Sequence, residues 1–203
     1  LYRTEFLFLN RSTPPDEEEQ FRVYREVVMG MRGRPVTIRT IDLGADKADA
    51  AGLGQFSEPN PALGLRGLRL ALARPAIFRS QLRAILRSAA FGPVRILLPM
   101  LTQREELVAA RALIAECEAE LAQAGLVADA HYQVGVMIEV PAAALAIDSF
   151  AELVDFLAIG TNDLVQYLMA ADRGNDAVGE LHSPLHPGFV GLLHQIIQLA
   201  RAS

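Results

Sequence analysis

The 203-residue chain carries 24 acidic and 19 basic side chains, giving a formal net charge of −5 at pH 7, and 51% of its residues are hydrophobic. This composition indicates a globular domain that can bury a sizeable core, and it excludes a disordered chain. The negative charge gives no electrostatic reason to expect nucleic acid or an anionic membrane, although a few locally placed arginines could still bind an anion. No apolar run approaches the roughly 20 residues that span a bilayer, so we expect no membrane insertion.

The single cysteine, Cys117, excludes an internal disulfide framework and fits a reducing compartment, which predicts a cytoplasmic protein. Cys117 lies on the apolar stripe of a predicted helix, so we expect an inert packing residue rather than a nucleophile. The chain begins on Leu1 without an initiator methionine, within what reads as a strand. We therefore expect residues 1–203 to form a single domain of a longer protein.

Strands and helices alternate along the first half of the chain. Pro14 and Pro15 end an opening apolar run, and the acidic residues after them are typical of the first turn of a helix, whose positive N-terminus they complement. A stretch rich in Gly, Pro and Asn follows the second strand and is expected to be a long functional loop. The predicted elements, in order, are a strand over 1–9, a helix over 16–30, a strand over 36–42, the loop over 48–65, a short helix from 66 and a helix over 75–90.

The second half continues the alternation. Thr102-Gln103-Arg104-Glu105 has the pattern of a capping box, in which side chains satisfy the first free backbone N–H groups of a helix. Pro141 is expected to open a short Ala-rich helix. The predicted elements are a strand over 94–100, a helix over 102–125, a strand over 133–139, the helix from 141, a strand over 156–160, a polar loop containing Asn162 and Asp163, and a closing helix over 187–202.

Alternating strands and helices build parallel sheets, which are either open doubly wound sheets or barrels. The ends of the predicted strands favour a (β/α)₈ barrel, because its strand ends converge on one mouth whereas an open sheet spreads them along an edge. The sequence also lacks a Gly-x-Gly-x-x-Gly loop after the first strand. Five strands cannot close a barrel of eight. The polar residues at predicted strand ends are Arg3-Thr4-Glu5, Arg39 with Asp42, Met100, Glu139 and Asn162-Asp163.

The residues at these strand ends suit a pocket for a small, multiply charged anion. Glu139 and Asp163 could share a hard cation through oxygen ligands, and Mg²⁺ would keep waters and bind substrate oxygens as well. Guanidinium groups grip phosphate and carboxylate through paired hydrogen bonds. Four arginines are available for this, namely Arg3, Arg39, Arg66 and Arg173.

The alternative is a purely structural role for the arginines. Each one could form an ion pair with a nearby acid, such as Glu5, Asp42 or Asp172, since structural ion pairs are frequent in barrels. For any single arginine this alternative is at least as good as ligand binding. The joint placement of the arginines at strand ends favours binding.

Six segments of the sequence, in order, closely resemble the C-terminal domain of Enzyme I, the phosphoenolpyruvate-protein phosphotransferase family of the bacterial sugar phosphotransferase system. The resemblance covers essentially the whole chain. It implies a TIM barrel of the phosphoenolpyruvate/pyruvate type, incomplete here because the first strand and the last two strands would be missing. The segments are Leu-Tyr-Arg-Thr-Glu-Phe at 1–6, Ile-Arg-Thr-Ile-Asp-Leu-Gly-Ala-Asp-Lys at 38–47, Asn-Pro-Ala-Leu-Gly-Leu-Arg at 60–66, Gly-Val-Met-Ile-Glu-Val-Pro-Ala-Ala at 135–143, Gly-Thr-Asn-Asp-Leu at 160–164 and Asp-Arg-Gly-Asn-Asp at 172–176.

The resemblance also implies residue roles. In the family, arginines and Mg²⁺ neutralise the phosphate of phosphoenolpyruvate and the developing enolate while the phosphoryl group is transferred. Arg3 and Arg39 match the arginines that hold the phosphate, and Glu139 and Asp163 match the two magnesium ligands. The full set implied to contact substrate is Arg3, Arg39, Arg66, Asn162, Asp163 and Arg173.

The implied acceptor is a histidine on a separate N-terminal domain, from which the phosphoryl group passes to the phosphocarrier protein HPr. The proton-donor cysteine of the family lies in a Gly-x-Cys-Gly motif that is absent here, so we expect no catalytic residue within the chain and no turnover by the chain alone. The family dimerises through this domain, which implies a homodimeric parent. The histidines that do not match the phospho-acceptor motif are His131, His182, His186 and His194.

Three other functions remain open. The phosphoenolpyruvate-binding domain of pyruvate phosphate dikinase or phosphoenolpyruvate synthase shares the Arg-Thr-Glu, Asn-Pro and Gly-Thr-Asn-Asp signatures, but the segment 42–47 resembles the Enzyme I version more closely. A non-catalytic module that senses phosphoenolpyruvate or mediates dimerisation is a second possibility. A metal-dependent carbon–carbon lyase on the same barrel is the third and the weakest, because it would need an acyl-coenzyme or aldehyde pocket that the sequence does not show.

Overall fold

A computed structural model describes residues 1–44, 58–126 and 131–202 of the chain. Residues 48–57 of the predicted functional loop over 48–65 therefore lie outside the described residues, and residues 58–65 lie within them. Within the described ranges, no helix combines the length and the apolar character needed to cross a membrane.

Five parallel strands form one sheet, and their order in space is their order in the sequence. The α/β class and the parallel sheet are confirmed. The register pairs Arg3 with Arg39 and Arg39 with Leu97, which places the first two strand ends side by side. The strands are β1 (Tyr2–Arg3), β2 (Val36–Arg39), β3 (Val94–Leu98), β4 (Tyr132–Ile138) and β5 (Phe156–Ile159).

Helices lie between successive strands and after the last one. Their starts follow local chemistry: the Asp16 side chain accepts a hydrogen bond from the Glu19 backbone N–H at 2.8 Å, and Pro75 and Pro141 each occupy the first turn of a helix. The helices are α1 (Glu5–Phe8), α2 (Glu17–Gly30), α3 (Gly67–Ala73), α4 (Pro75–Ser88), α5 (Arg104–Gln123), α6 (Pro141–Leu145), α7 (Thr161–Met169) and α8 (Pro187–Ala202).

The predicted strand over 1–9 is wrong beyond Arg3, because the chain turns there into α1. The Thr4 hydroxyl donates a hydrogen bond to the backbone carbonyl of Arg39 at 2.8 Å, and Phe8 is buried in a small cluster with Ile41 and Leu70. Phe8 is therefore buried from a helix instead of from a strand that pairs with its neighbour.

The predicted capping box of the third long helix is one residue too early. Gln103, not Thr102, is the residue that precedes α5, and the Glu106 carboxylate accepts the backbone N–H groups of both Thr102 and Gln103, at 2.8 and 3.1 Å. A glutamate in the first turn still closes the helix N-terminus, but the acid that does so is Glu106 and not Glu105.

The core lies between the sheet and the helices that cover it. Its largest cluster joins β-branched residues of the strands to the apolar faces of α2, α4 and α5. Cys117 is fully buried in this cluster, and burial raises the pKa of its thiol to about 11. A thiol that stays protonated at neutral pH is a poor nucleophile, so the predicted packing role is confirmed.

A buried polar network lies behind the ends of β1 and β2. The Gln81 side chain accepts a hydrogen bond from the Ile41 backbone N–H at 2.9 Å and donates to the hydroxyls of Thr4 and Tyr24, each at 3.2 Å. Tyr24 in turn donates to Gln20 at 3.0 Å. Gln81 thus joins α4 to α2 and to the residues around both strand ends.

We predict that Gln81→Leu lowers the free energy of unfolding by about 2–4 kcal/mol, because it leaves the buried Ile41 N–H without its acceptor. Chemical denaturation measures the effect. Gln123→Leu, at the exposed C-terminus of α5, is the matched control and is expected to change stability by less than about 0.5 kcal/mol. Equal stabilities of the two variants would contradict the proposed importance of the network.

Candidate active site at the strand ends

The C-terminal ends of the strands border a cavity of about 1080 Å³. The structure brings all of the residues that the sequence predicted for the site into the wall of this cavity. They are Arg3, Arg39, Arg66, Glu139, Asn162, Asp163 and Arg173. A second cavity, of about 210 Å³, is lined by residues at the opposite ends of the strands, including Val94 and Tyr132.

The strands and the helix after β5 position these side chains. Arg39 is the last residue of β2, Glu139 directly follows β4, and Gly160 directly follows β5. The predicted polar loop after Gly160 is wrong, because Asn162 and Asp163 lie in the first turn of α7. The residues that follow Asp163, Leu164 and Val165, are apolar and buried in the core. A helix that packs this apolar face inward is therefore favoured over a loop.

Arg39 is buried among acidic groups. Its guanidinium contacts the Glu5 carboxylate and lies 3.5 Å from the Asp42 carboxylate. Arg3 is different: its side chain is 57% exposed, and its Nε lies 3.8 Å from the same Glu5. Glu5 therefore sits between a buried and an exposed guanidinium at the ends of β1 and β2.

Arg66 holds a second cluster of charges together. Its Nε and Nη2 donate to the two carboxylate oxygens of Asp42 at 3.1 and 2.9 Å, and its Nη1 lies 3.6 Å from Oδ1 of Asp163. Burial by itself would lower the pKa of Arg66, but the negative charges of Asp42 and Asp163 outweigh burial and raise it. The guanidinium therefore stays charged.

Glu139 is almost completely buried. Its Oε1 accepts the Met100 backbone N–H at 2.7 Å, and Met100 adopts a left-handed backbone conformation with φ 60°. Burial, together with the negative charges of Asp42 and Asp163, raises the pKa of the Glu139 carboxyl to about 8. This shift favours the protonated form of the carboxyl.

The two predicted roles of the arginines are combined in the structure. Arg39 and Arg66 do form ion pairs, with Glu5 and Asp42, as the structural alternative expected. The pairs nevertheless lie in the wall of the cavity, so pairing fixes the direction of each guanidinium without removing it from the site. Ion pairing and a place in the site are therefore not exclusive.

Two of the predicted residues lie at the open side of the cavity. Asn162 is exposed, and its backbone carbonyl lies 3.1 Å from Nε2 of His182. Arg173 is exposed as well, and its backbone N–H donates to the Gln166 side chain at 3.2 Å. Both can reach a ligand only from the solvent side.

The sequence interpretation assigned no role in the site to Tyr167, Gln166 and Met137, which also line the cavity, and it placed Asp42 at a strand end without giving it a binding role. Tyr167 could have been found, because it lies four residues after Asp163 and residues at that spacing share one face of a helix. The pattern gives no comparable signal for Met137, whose sulfur lies 3.8 Å from Nη1 of Arg39.

The acidic residues of the cavity fit a magnesium ion. Among the residues that the structure describes, Oδ1 of Asp163 is buried without a hydrogen-bond partner, and burial beside Asp42 and Asp163 raises the pKa of Glu139, so a cation would favour both carboxylates. Within residues 1–44, 58–126 and 131–202 no group of three or more His, Cys, Asp or Glu side chains could hold a metal ion. Mg²⁺ typically needs only one or two carboxylates, with waters and substrate oxygens completing its shell.

Comparison with known proteins bears on the identity of the site. Residues 1–203 match a family model described as "PEP-utilising enzyme, PEP-binding domain", where PEP is phosphoenolpyruvate. The chain belongs to this family. The predicted resemblance is thereby confirmed.

Curated relatives of this chain carry a more specific name. The chain is 50% identical to the phosphoenolpyruvate-protein phosphotransferase of Cupriavidus necator over 98% of its length, and 47% identical to that of Haemophilus influenzae over 100% of its length. It covers 34% and 35% of these proteins, so the chain spans about a third of the length of the curated relatives it matches. A citrate lyase from Burkholderia xenovorans LB400 aligns with a TM-score of 0.48 and 24% identity, over 63% of this chain and 38% of the lyase, which is too weak to bear on fold or function.

We predict that Gly160→Ala destabilises the domain by about 1–3 kcal/mol, the usual cost of overpacking. A Cβ at this position would lie 2.7 Å from Oε2 of Glu139 and 2.9 Å from the Met137 sulfur. Gly191→Ala in α8, where a Cβ meets nothing within 4 Å, is the control and is expected to be neutral or stabilising. Denaturant unfolding compares them, and a neutral Gly160→Ala would show that Glu139 is less tightly held.

The raised pKa of Glu139 predicts a distinctive dependence of stability on pH. The ordinary pKa of a glutamate is 4.5, and the pKa of Glu139 in the fold is about 8. The contribution of Glu139 to the free energy of unfolding is therefore fully present below pH 4.5 and is lost as the pH rises to about 8. Glu139→Gln, which can still accept the Met100 N–H, removes this loss. In the presence of chelator, we expect the melting temperature of the variant to exceed that of the wild type increasingly from pH 5 to 8.

The matched control for this profile is Glu26→Gln, on the exposed face of α2. It is expected to follow the wild-type profile. A Glu139→Gln profile parallel to that of the wild type would mean that the carboxyl is charged throughout this range.

Proposed function

We propose that this chain is the phosphoenolpyruvate-binding domain of a phosphoenolpyruvate-protein phosphotransferase, which binds phosphoenolpyruvate with Mg²⁺ and transfers its phosphoryl group to a histidine on a separate N-terminal domain. The observation that carries the proposal is a pair of buried, unsatisfied atoms in residues of one cavity wall. Within the described ranges of the chain, Nε of Arg39 is a donor without a partner, and Oδ1 of Asp163 is an acceptor without one. A phosphate oxygen would satisfy the first and a cation the second.

The arginines would bind and orient the substrate. Arg39 is held by Glu5 and Arg66 by Asp42, so both guanidinium groups are already in place before a ligand arrives. Preorganised charge costs no reorganisation at the moment of reaction, which is how phosphoryl-transfer sites stabilise their transition state. Arg3 and Arg173 are more exposed and would complete the contacts to phosphate and carboxylate oxygens from the open side.

Glu139 and Asp163 would hold the metal. Bound Mg²⁺ would supply positive charge that neutralises the phosphoryl oxygens and the departing enolate. Glu139 must give up its proton to become a ligand, so metal binding by this site is expected to strengthen as pH rises toward about 8. Asn162, beside Asp163 in the first turn of α7, would contact the substrate through its side-chain amide.

For the fold, we propose that the five strands are consecutive strands of a (β/α)₈ barrel of the phosphoenolpyruvate/pyruvate type. All five are parallel, they follow one another in space as in sequence, and helices lie between them. The cavity lies at the C-terminal ends of the strands, which is where barrels of this kind place their active sites.

The partners and location follow from the same proposal. The acceptor histidine would lie on another domain of the parent protein, which would pass the phosphoryl group to the phosphocarrier protein HPr and would act as a homodimer in the cytoplasm. Among the described histidines, His131 lines the small cavity at the opposite ends of the strands and cannot serve as the acceptor. The two relatives named phosphoenolpyruvate-protein phosphotransferase support this branch over a dikinase or a synthase.

The decisive test is calorimetric titration of phosphoenolpyruvate into the complete gene product, with and without Mg²⁺. We expect Arg39→Ala to weaken binding by roughly 100-fold or more, because it removes charge-assisted contacts to the phosphate. Arg111→Ala, on the exposed face of α5, is the control and is expected to bind as the wild type does.

A second variant, Glu139→Ala combined with Asp163→Ala, separates the metal from the arginines. We expect it to lose the enhancement of binding by Mg²⁺ while keeping its fold, as judged by circular dichroism. Absence of binding by a well-folded wild type, or unchanged affinity in Arg39→Ala, would contradict the proposal and would favour a non-catalytic module.

A further inference from the structure

Tyr167 lies in the wall of the cavity and makes polar contacts in two directions. Its hydroxyl accepts a hydrogen bond from Nη1 of Arg66 at 3.2 Å and donates one to the backbone carbonyl of Ala62. The direction of both bonds is fixed, because a guanidinium can only donate and a carbonyl can only accept. Burial raises the pKa of the phenol, so the donor to Ala62 is retained across the physiological range.

The contact with Ala62 involves a segment that borders the cavity. Residues 58–66 fold on themselves: the Leu63 N–H donates to the Asn60 carbonyl at 2.9 Å, and the Leu65 N–H donates to the Glu58 carboxylate at 3.0 Å. Tyr167 joins this segment to α7, the helix that carries Asn162 and Asp163. One hydroxyl thus ties together two parts of the cavity wall that are about a hundred residues apart in sequence.

The contact with Arg66 determines which of its N–H groups face a ligand. A guanidinium has five N–H donors. Two of them bind Asp42 and one binds Tyr167, which leaves two without a partner among the described residues, one on each terminal nitrogen. The Asp163 oxygen, at 3.6 Å from Nη1, is too far away for a hydrogen bond and attracts the guanidinium only through its charge. Asp42 holds the Nε and Nη2 side of the planar guanidinium, and the Tyr167 hydroxyl is a third anchor on the Nη1 side; without the hydroxyl, the charge of Asp163 remains as the attraction described on that side.

We propose that Tyr167 is a positioning residue of this site: its hydroxyl directs the free N–H groups of Arg66 at the oxygens of an anionic ligand and holds the segment 58–66 against α7. The identity of the ligand as phosphoenolpyruvate rests on the function proposed above. The tie between Tyr167 and the segment rests on the structure alone, so the two can be tested separately.

The test uses Tyr167→Phe in the complete gene product, because this change removes the hydroxyl and keeps the ring. Tyr132→Phe is the matched control, since the Tyr132 hydroxyl donates to Glu118 at 2.8 Å near the opposite ends of the strands. Without ligand, we expect the amides of Leu63 and Leu65 to exchange hydrogen about fivefold faster in Tyr167→Phe than in wild type, as for the loss of one hydrogen bond. With Mg²⁺ present, we expect phosphoenolpyruvate to bind roughly tenfold more weakly.

Each outcome is informative. Faster exchange with weaker binding, neither seen in Tyr132→Phe, supports the proposal. Unchanged exchange at Leu63 and Leu65 overturns the tie, and faster exchange with wild-type affinity overturns the positioning of Arg66. A wild-type protein that does not bind phosphoenolpyruvate overturns the proposed function instead, and the exchange measurement then decides alone whether the hydroxyl holds the segment.

Discussion

The burial of opposite charges at the ends of the strands is the constraint on which this structure depends. A guanidinium or a carboxylate removed from water is costly unless a partner compensates it. Arg39 is compensated by Glu5 and Arg66 by Asp42, so each can remain charged inside the cavity wall. Glu139 lacks such a partner, and the result is a carboxyl whose pKa rises to about 8.

This balance of charges bears on the kind of ligand that suits the cavity. Arg39 and Arg66 are already paired, so an anion alone would compete with the acids that hold them. At the same time the pKa of Glu139 is raised, and Oδ1 of Asp163 has no hydrogen-bond partner among the residues that the structure describes, although Arg66 lies 3.6 Å from it. A ligand that brings both charges, such as a phosphate with a bound metal ion, meets both needs at once, and the proposed function supplies such a ligand.

Behind the charged residues lies a layer that keeps them in place. Gln81 joins α4 to the segments that follow β1 and β2, and Tyr167 joins α7 to the segment that contains Ala62. These contacts are neutral hydrogen bonds between elements far apart in sequence. They fix the geometry of the charged groups with little desolvation cost, which is the usual task of residues that support an active site.

Local patterns and short ordered motifs were enough to predict the alternation of strands and helices, the parallel sheet and the identities of the residues at the strand ends. Tertiary packing set the length of β1, which ends at Arg3 before the helix that buries Phe8 against Ile41, and it placed Asp163 in the first turn of α7. Tertiary packing also set the raised pKa of Glu139 and the hydrogen bonds of Tyr167. Pairing, burial and pKa depend on distances between residues remote in the chain, and no local pattern encodes those distances.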